Sequence, residues 1–212
     1  MLYAEADTHG DTMIDAARDQ DDVDAILLAQ IRETYGKVLY SHKIHEKQSD
    51  LCFRRHRLQR GWLVVLTAVS SGAFLASVVG LFIEQQHAAL VTSFIALLVT
   101  ALNLGTKTFK YGEESQRHRE VAARLWNVRE SYLSLIADMM SGAVSSSDAR
   151  ARRDELQELS REIYSDAPRT TSKAYEMARD GLKDNEELTF SEKELDAFVP
   201  EHLRLGAAKG GM

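Results

Sequence analysis

Histidines and carboxylates one helical turn apart are the first place to look for chemistry in this chain. His42, His45 and Glu46 share one face of a helix, a spacing that invites a metal ion. No further ligand is fixed by the sequence, and histidines on a half-buried helical face explain the same pattern, so no metal or cofactor site is assigned. A second polar cluster runs Tyr111-Gly112-Glu113-Glu114-Ser115-Gln116-Arg117-His118-Arg119. Together with Lys107 and Lys110 it forms a collar in which Lys107, Lys110, Glu113, Glu114, Arg117 and Arg119 are the charged members. The collar reads as a solvated ring of i,i+4 pairs, such as Glu113 with Arg117, or as a gating ring where charges meet their symmetry mates. A phosphate-cradling glycine loop, a nucleophile elbow and an HExxH motif are all missing from the sequence. The single cysteine, Cys52, excludes an intramolecular disulfide and a cysteine-based zinc framework. Nothing here requires catalysis, and the chain is read as a non-enzyme.

The collar sits beside two uncharged runs. One extends from Gly61 to Ile83, the other from Ala88 to Leu104, separated by Glu84-Gln85-Gln86-His87. At about 1.5 Å per residue the first reaches roughly 30 Å, the thickness of a hydrocarbon core, and the second lies near the short end of that range. Two buried helices of a soluble core would need more covering protein than 212 residues supply. The expected architecture is therefore an all-α membrane protein. A two-span hairpin, about 62–83 and 88–105, extends into a cytoplasmic helical bundle. Arg54, Arg55, Arg57 and Arg60 precede the first run; Lys107, Lys110, Arg117 and Arg119 follow the second; the connection carries no Lys or Arg. Positive flanks stay inside, which places both termini in the cytoplasm of a bacterial inner membrane. Trp62 falls where an interfacial anchor belongs.

Small residues pattern both runs. Ala68, Gly72, Ala76 and Gly80 recur every four residues in the first, a row that lets another helix approach closely. Ser93, Ala96, Thr100 and Asn103 continue a similar stripe from Ala89 in the second. The two rows either pack against each other within one hairpin, or one of them faces the axis of a homo-oligomer. Neither run contains an ionisable side chain, which disfavours a proton relay or charge-coupled transporter.

Outside the membrane the sequence divides further. Residues 1–22 are acidic, with seven carboxylates against Arg18 alone, the reverse of a secretory signal, and read as a flexible arm. Residues 23–60 form a cytoplasmic helix with a weak stripe of Leu27, Ile31, Tyr35, Val38, His42 and His45. Residues 106–140 form a long helix carrying a heptad seam of Val121, Leu125, Val128, Tyr132, Leu135 and Met139. The two run antiparallel, and Trp126 and Ile136 widen the seam so that more than one neighbour can cover it. Residues 141–204 hold three short helices, about Asp148 to Tyr164, Thr171 to Leu182 and Ser191 to Val199. The last starts with a capping box, and Phe190, Leu195, Phe198 and Val199 are positioned to clamp back on the bundle. Residues 205–212 read as a flexible tail. The net charge of −6 argues against nucleic acid as a partner.

Three stretches in combination resemble a known family. They are Lys107-Thr108-Phe109-Lys110-Tyr111-Gly112-Glu113-Glu114 leading into 118–132 (HREVAARLWNVRESY), then Arg153-Asp154-Glu155-Leu156, then Ala167-Pro168-Arg169-Thr170. With the preceding hairpin, over about residues 25–204, the chain resembles the SLATT family, two-transmembrane effector domains found beside bacterial nucleotide second-messenger synthetases. The resemblance implies an inner-membrane effector of anti-phage defence that assembles when infection is sensed, permeabilises the membrane and stops the cell. It carries over no catalytic residues. The chain departs from fused versions in lacking an obvious ligand-sensing domain, so a sensor protein or a nucleotide second-messenger pathway is the expected upstream partner. The alternative is a membrane-anchored scaffold recruiting a cytoplasmic partner through the helical bundle.

Overall fold

The structure is a computed structural model that describes residues 6–69, 85–201 and 204, with side chains at 6–20, 69, 85–89 and 92 left aside. Most of the first expected span, including Gly72, Ala76 and Gly80, lies outside those residues. Among the described residues no helix is long and apolar enough to cross a membrane. Among the described residues every regular element is a helix. The elements are α1 (Ala6–Val69), α2 (Gln85–Thr108), α3 (Tyr111–Ser141), α4 (Ser146–Asp166), α5 (Ser172–Lys183) and α6 (Glu192–Phe198).

Helix α1 is 64 residues long, about 95 Å at the standard rise. Its length follows from the absence of proline anywhere before Pro168. The acidic stretch 6–22 has helical backbone continuous with the rest of α1. Helix α3 lies antiparallel to it. His42 meets Ala122, His45 meets His118, and Ser49 meets Ser115, so contacts step in opposite directions along the two chains. That is the pairing expected from the two heptad stripes, whose 3.5-residue period keeps one seam facing the partner over many turns.

The core is that seam. Val121, Leu125, Val128, Tyr132 and Leu135 are buried against Leu27, Ile31 and Val38 of α1 and Ala149, Leu156 and Ile163 of α4, with Tyr35, Ile136 and Met139 at its edge. All six seam residues are thus used inside one chain. Trp126 lies outside the core cluster and is exposed; its ring meets His42 edge-on, and the Arg129 guanidinium lies 3.7 Å from its centroid.

The second uncharged run and the long helix after it are two separate helices, α2 and α3. Lys110 takes a non-helical conformation, and its carbonyl opens α3 by accepting from Glu114 N–H. Phe109 and Tyr111 stack across the break with centroids 5.7 Å apart, and Arg55 of α1 lies over the Tyr111 ring. Just beyond, Gly112 lets the helices close up, since a Cβ there would lie 3.1 Å from the His56 ring.

The short helices start where their caps require. Gly142, at φ 71°, ends α3 in the left-handed conformation that glycine adopts without steric cost. Ser145, Thr171 and Ser191 cap α4, α5 and α6, the last with a complete capping box to Glu194. Helix α4 packs on α3, and α5 packs on α1. The expected clamp by α6 is not formed. Phe190 and Phe198 pack edge-to-face on each other and stay exposed with Leu195, and α6 buries no residue.

Leu125→Ala should cost about 2–5 kcal/mol, the usual loss for a fully buried leucine. Leu133→Ala, on the exposed side of the same helix, should cost far less. Thermal unfolding of the purified chain in detergent checks this. Equal shifts in Tm for the two variants would mean that the seam is not the core.

Candidate functional site

Followed toward the expected membrane, the seam changes character. On α1 the stripe Leu27, Ile31, Tyr35, Val38 continues at heptad spacing as His42, His45, Ser49 and Cys52. On α3 the stripe Val128, Leu125, Val121 continues as His118 and Glu114. The apolar half holds the bundle together. The other half is polar, yet His42, His45, Gln48, Ser49, Ser115 and His118 are all buried. Buried polar groups need partners, and the two helices supply them.

His42 Nδ1 lies 3.0 Å from the Ala122 carbonyl oxygen, to which it donates. His45 Nδ1 and His118 Nδ1 lie 2.9 Å apart, a contact that requires one ring to donate and the other to accept. Ser49 donates to the Ser115 carbonyl and Ser115 donates to the Ser49 carbonyl, at 2.9 and 3.0 Å. Gln48 donates to Cys52 Sγ, while its Oε1 accepts from the backbone N–H and hydroxyl of Thr171, the α5 cap. One glutamine therefore ties α5 to the polar half of the seam.

Burial keeps these groups neutral. It holds His45 down at about 4, helped by the neighbouring His118 and His42. It also lowers His42, against the Ala122 hydrogen bond, and His118, against the Glu114 carboxylate. The Cys52 thiol is pushed up, again by burial first. At the rim, Cys52, Glu114 and His118 bring a sulfur, a carboxylate oxygen and a ring nitrogen within 4.8 Å of one another.

A charged latch lies on the same face of α1. Lys43 is buried yet reaches Glu187 at 2.6 Å and Glu46 at 2.7 Å, and Lys47 reaches Glu187 at 2.8 Å. Burial pulls the Lys43 ammonium down, but the carboxylates outweigh it and hold it above its usual value. Lys43 and Lys47 hold the Glu187 carboxyl below its usual range. Glu187 is delivered by a loop in which Glu186 and Leu188 both have positive φ, at 50° and 72°. Left-handed backbone costs a non-glycine residue about 1–2 kcal/mol, which the latch must offset.

The residues singled out by sequence fare unequally. His42 and Glu46 approach to 4.0 Å, but His42 bonds to Ala122, His45 turns to His118 and Glu46 is held by Lys43, so the three do not converge on one point. In the collar, Glu113 pairs with Lys110 across the helix break rather than with Arg117. Lys107, Arg117 and Arg119 are exposed. Ala68, Ser93, Ala96, Thr100 and Asn103 are exposed as well, with Thr100 and Asn103 bonding back to the carbonyls of Ala96 and Val99. His118, Glu114, Ser49 and Cys52 were missed as seam members. Extending each stripe by one or two heptad steps would have found them.

Comparison with known families places most of the chain. The family described as SMODS and SLOG-associating 2TM effector domain family 4 matches residues 27–194. No curated protein and no solved structure matches.

Glu187→Gln should free the loop 184–190 and cost about 1–2 kcal/mol, limited because Glu187 is partly exposed and Glu46 still faces Lys43. Because the folded Glu187 carboxyl is held low, the latch is fully present above its ordinary value near 4.5 and is lost as pH falls through its folded value. Limited proteolysis reads both effects. Cleavage after 183 should speed up in the variant and, for the wild type, only in acid; an unchanged rate in the variant would show that the latch holds nothing.

Proposed function

The chain belongs to the SMODS and SLOG-associating 2TM effector domain family, family 4, and from that premise we propose that it is a non-enzymatic inner-membrane effector of anti-phage defence. On a trigger it oligomerises and permeabilises the membrane. The observation that carries this reading is where apolar side chains are left uncovered. Trp62, Val64 and Val65 on α1, and Leu90, Phe94, Leu97 and Leu104 on α2, are exposed in succession along two helices. Gln59 and Gly105 approach at the base of the pair, 3.9 Å from the glutamine nitrogen to a Cβ at the glycine. Water would not tolerate so long an apolar surface on a lone chain; a bilayer would.

The uncharged first run continues in sequence to Ile83, giving a hairpin with both termini inside. Since the heptad seam is used within each chain, contacts between copies fall to the small-residue rows and to the collar. The exposed hydroxyl and amide groups of Ser93, Thr100 and Asn103, with no ionisable neighbour inside the span, suit a leak with little charge selectivity or a hydrophobic gate. The sensing step is assigned to a partner protein or a nucleotide second-messenger pathway.

The scaffold reading draws on the exposed cluster of Phe190, Leu195 and Phe198, which is placed to receive a cytoplasmic partner. It requires that the bundle still work when residues 61–105 are replaced by an unrelated membrane anchor.

Membrane potential recorded during induced toxicity tests the effector reading. Depolarisation should precede growth arrest, and an unchanged potential at full toxicity would sink it. Gly72→Leu, at equal membrane levels, should abolish the depolarisation. A fully active variant would remove the first small-residue row as the assembly face.

A further inference from the structure

The polar half of the seam ends in one unmet valence. His118 is fully buried, its Nδ1 is engaged by His45, and its Nε2 has no hydrogen-bond partner. Leaving such a nitrogen unpaired costs on the order of 1–3 kcal/mol. Nearby are the buried Cys52 sulfur and the half-buried Glu114 carboxylate, with donor atoms of all three residues within 4.8 Å of one another. We infer that Cys52, Glu114 and His118 form a binding site for a transition-metal cation of the zinc class, clamping α1 to α3 at the inner side of the collar.

The donor set selects the ion. Magnesium and calcium take oxygen ligands, whereas one thiolate, one imidazole and one carboxylate suit zinc, with water completing a tetrahedron. Zinc bond lengths near 2.3 Å to sulfur, 2.0–2.1 Å to nitrogen and 2.0–2.2 Å to oxygen put donors roughly 3.5 Å apart. The present spacing therefore has to close by about an ångström, which the Glu114 side chain at the rim can supply. On binding, the Cys52 S–H bond breaks, its proton leaves to solvent, and sulfur donates a lone pair to the metal. The thiolate and carboxylate then neutralise the dication, so no net charge is buried.

His45 completes the arrangement as a positioning residue. Held neutral, it accepts a hydrogen bond from His118 Nδ1–H, which leaves Nε2 as the lone-pair nitrogen. Ligating histidines typically have such a partner on their other ring nitrogen, and its loss weakens metal affinity about 10–100-fold. A single cysteine is no zinc framework by itself; the fold makes this one a ligand by setting a histidine and a glutamate across from it.

Titration of the purified, untagged full chain with Co²⁺ tests the site. The wild type should bind one equivalent, with a thiolate-to-cobalt charge-transfer band and visible bands of tetrahedral intensity, and Zn²⁺ should displace it. Cys52→Ser should lose the charge-transfer band, and His45→Ala should keep the band while binding 10–100-fold more weakly. Absence of the thiolate band in the wild type, which needs no variant to fold, overturns the inference. So does an unaltered spectrum in Cys52→Ser. The readout is independent of membrane leakage, so this site and the effector reading stand or fall separately.

Discussion

Two helices sharing one heptad register organise the whole molecule. Because the α1 and α3 stripes keep a period of 3.5 residues, one face of each stays turned toward the other through many turns. Everything else is attached to that pairing. Helix α4 closes the apolar half through Ala149, Leu156 and Ile163, and α5 is held to the polar half through Thr171 and Gln48. The Glu187 latch fastens the loop after α5 to Lys43 and Lys47. Without the antiparallel pair, neither α4 nor α5 would have an apolar face to cover.

The split along the seam has energetic meaning. The half built from Leu27, Ile31, Leu125 and Tyr132 stabilises by burial, which is non-directional and tolerant of small shifts. The half built from His42, His45, Ser49, Ser115 and His118 contributes less net stability, since each hydrogen bond replaces one made to water. It specifies instead. A slip of one heptad step would unpair the reciprocal Ser49–Ser115 bonds and the His45–His118 contact at once. The polar half thus fixes the register at the end of the pair next to α2, where an error would misalign α1 and α2.

Much of this was legible in the residues. The heptad spacing from Val121 to Met139 announced the seam, proline scarcity announced the long helices, and Ser191 with Glu194 announced the capping box that starts α6. The family, too, was readable from motifs that the match over 27–194 bears out. What escaped notice were features decided by pairing between distant segments. Nothing in His118 alone indicates that His45 will face it, and Cys52 gained a chemical context only from the antiparallel register. The helix break at Phe109–Lys110 was hidden because neither residue type is a helix breaker. The α6 clamp also depends on distant pairing: the spacing of Leu195 and Phe198 gives an apolar face but not its partner.

That break gives the two strands of the bundle different mechanical characters. Helix α1 passes from the bundle to Val69 without interruption, whereas its antiparallel companion is jointed at Lys110. A continuous helix carries torque along its axis; a jointed one bends and lets the torque go. The backbone of α1 runs on unbroken past Trp62, whereas α2 meets α3 at the Phe109–Tyr111 stack. The pair therefore sets one stiff, unbroken helix beside one hinged at Lys110.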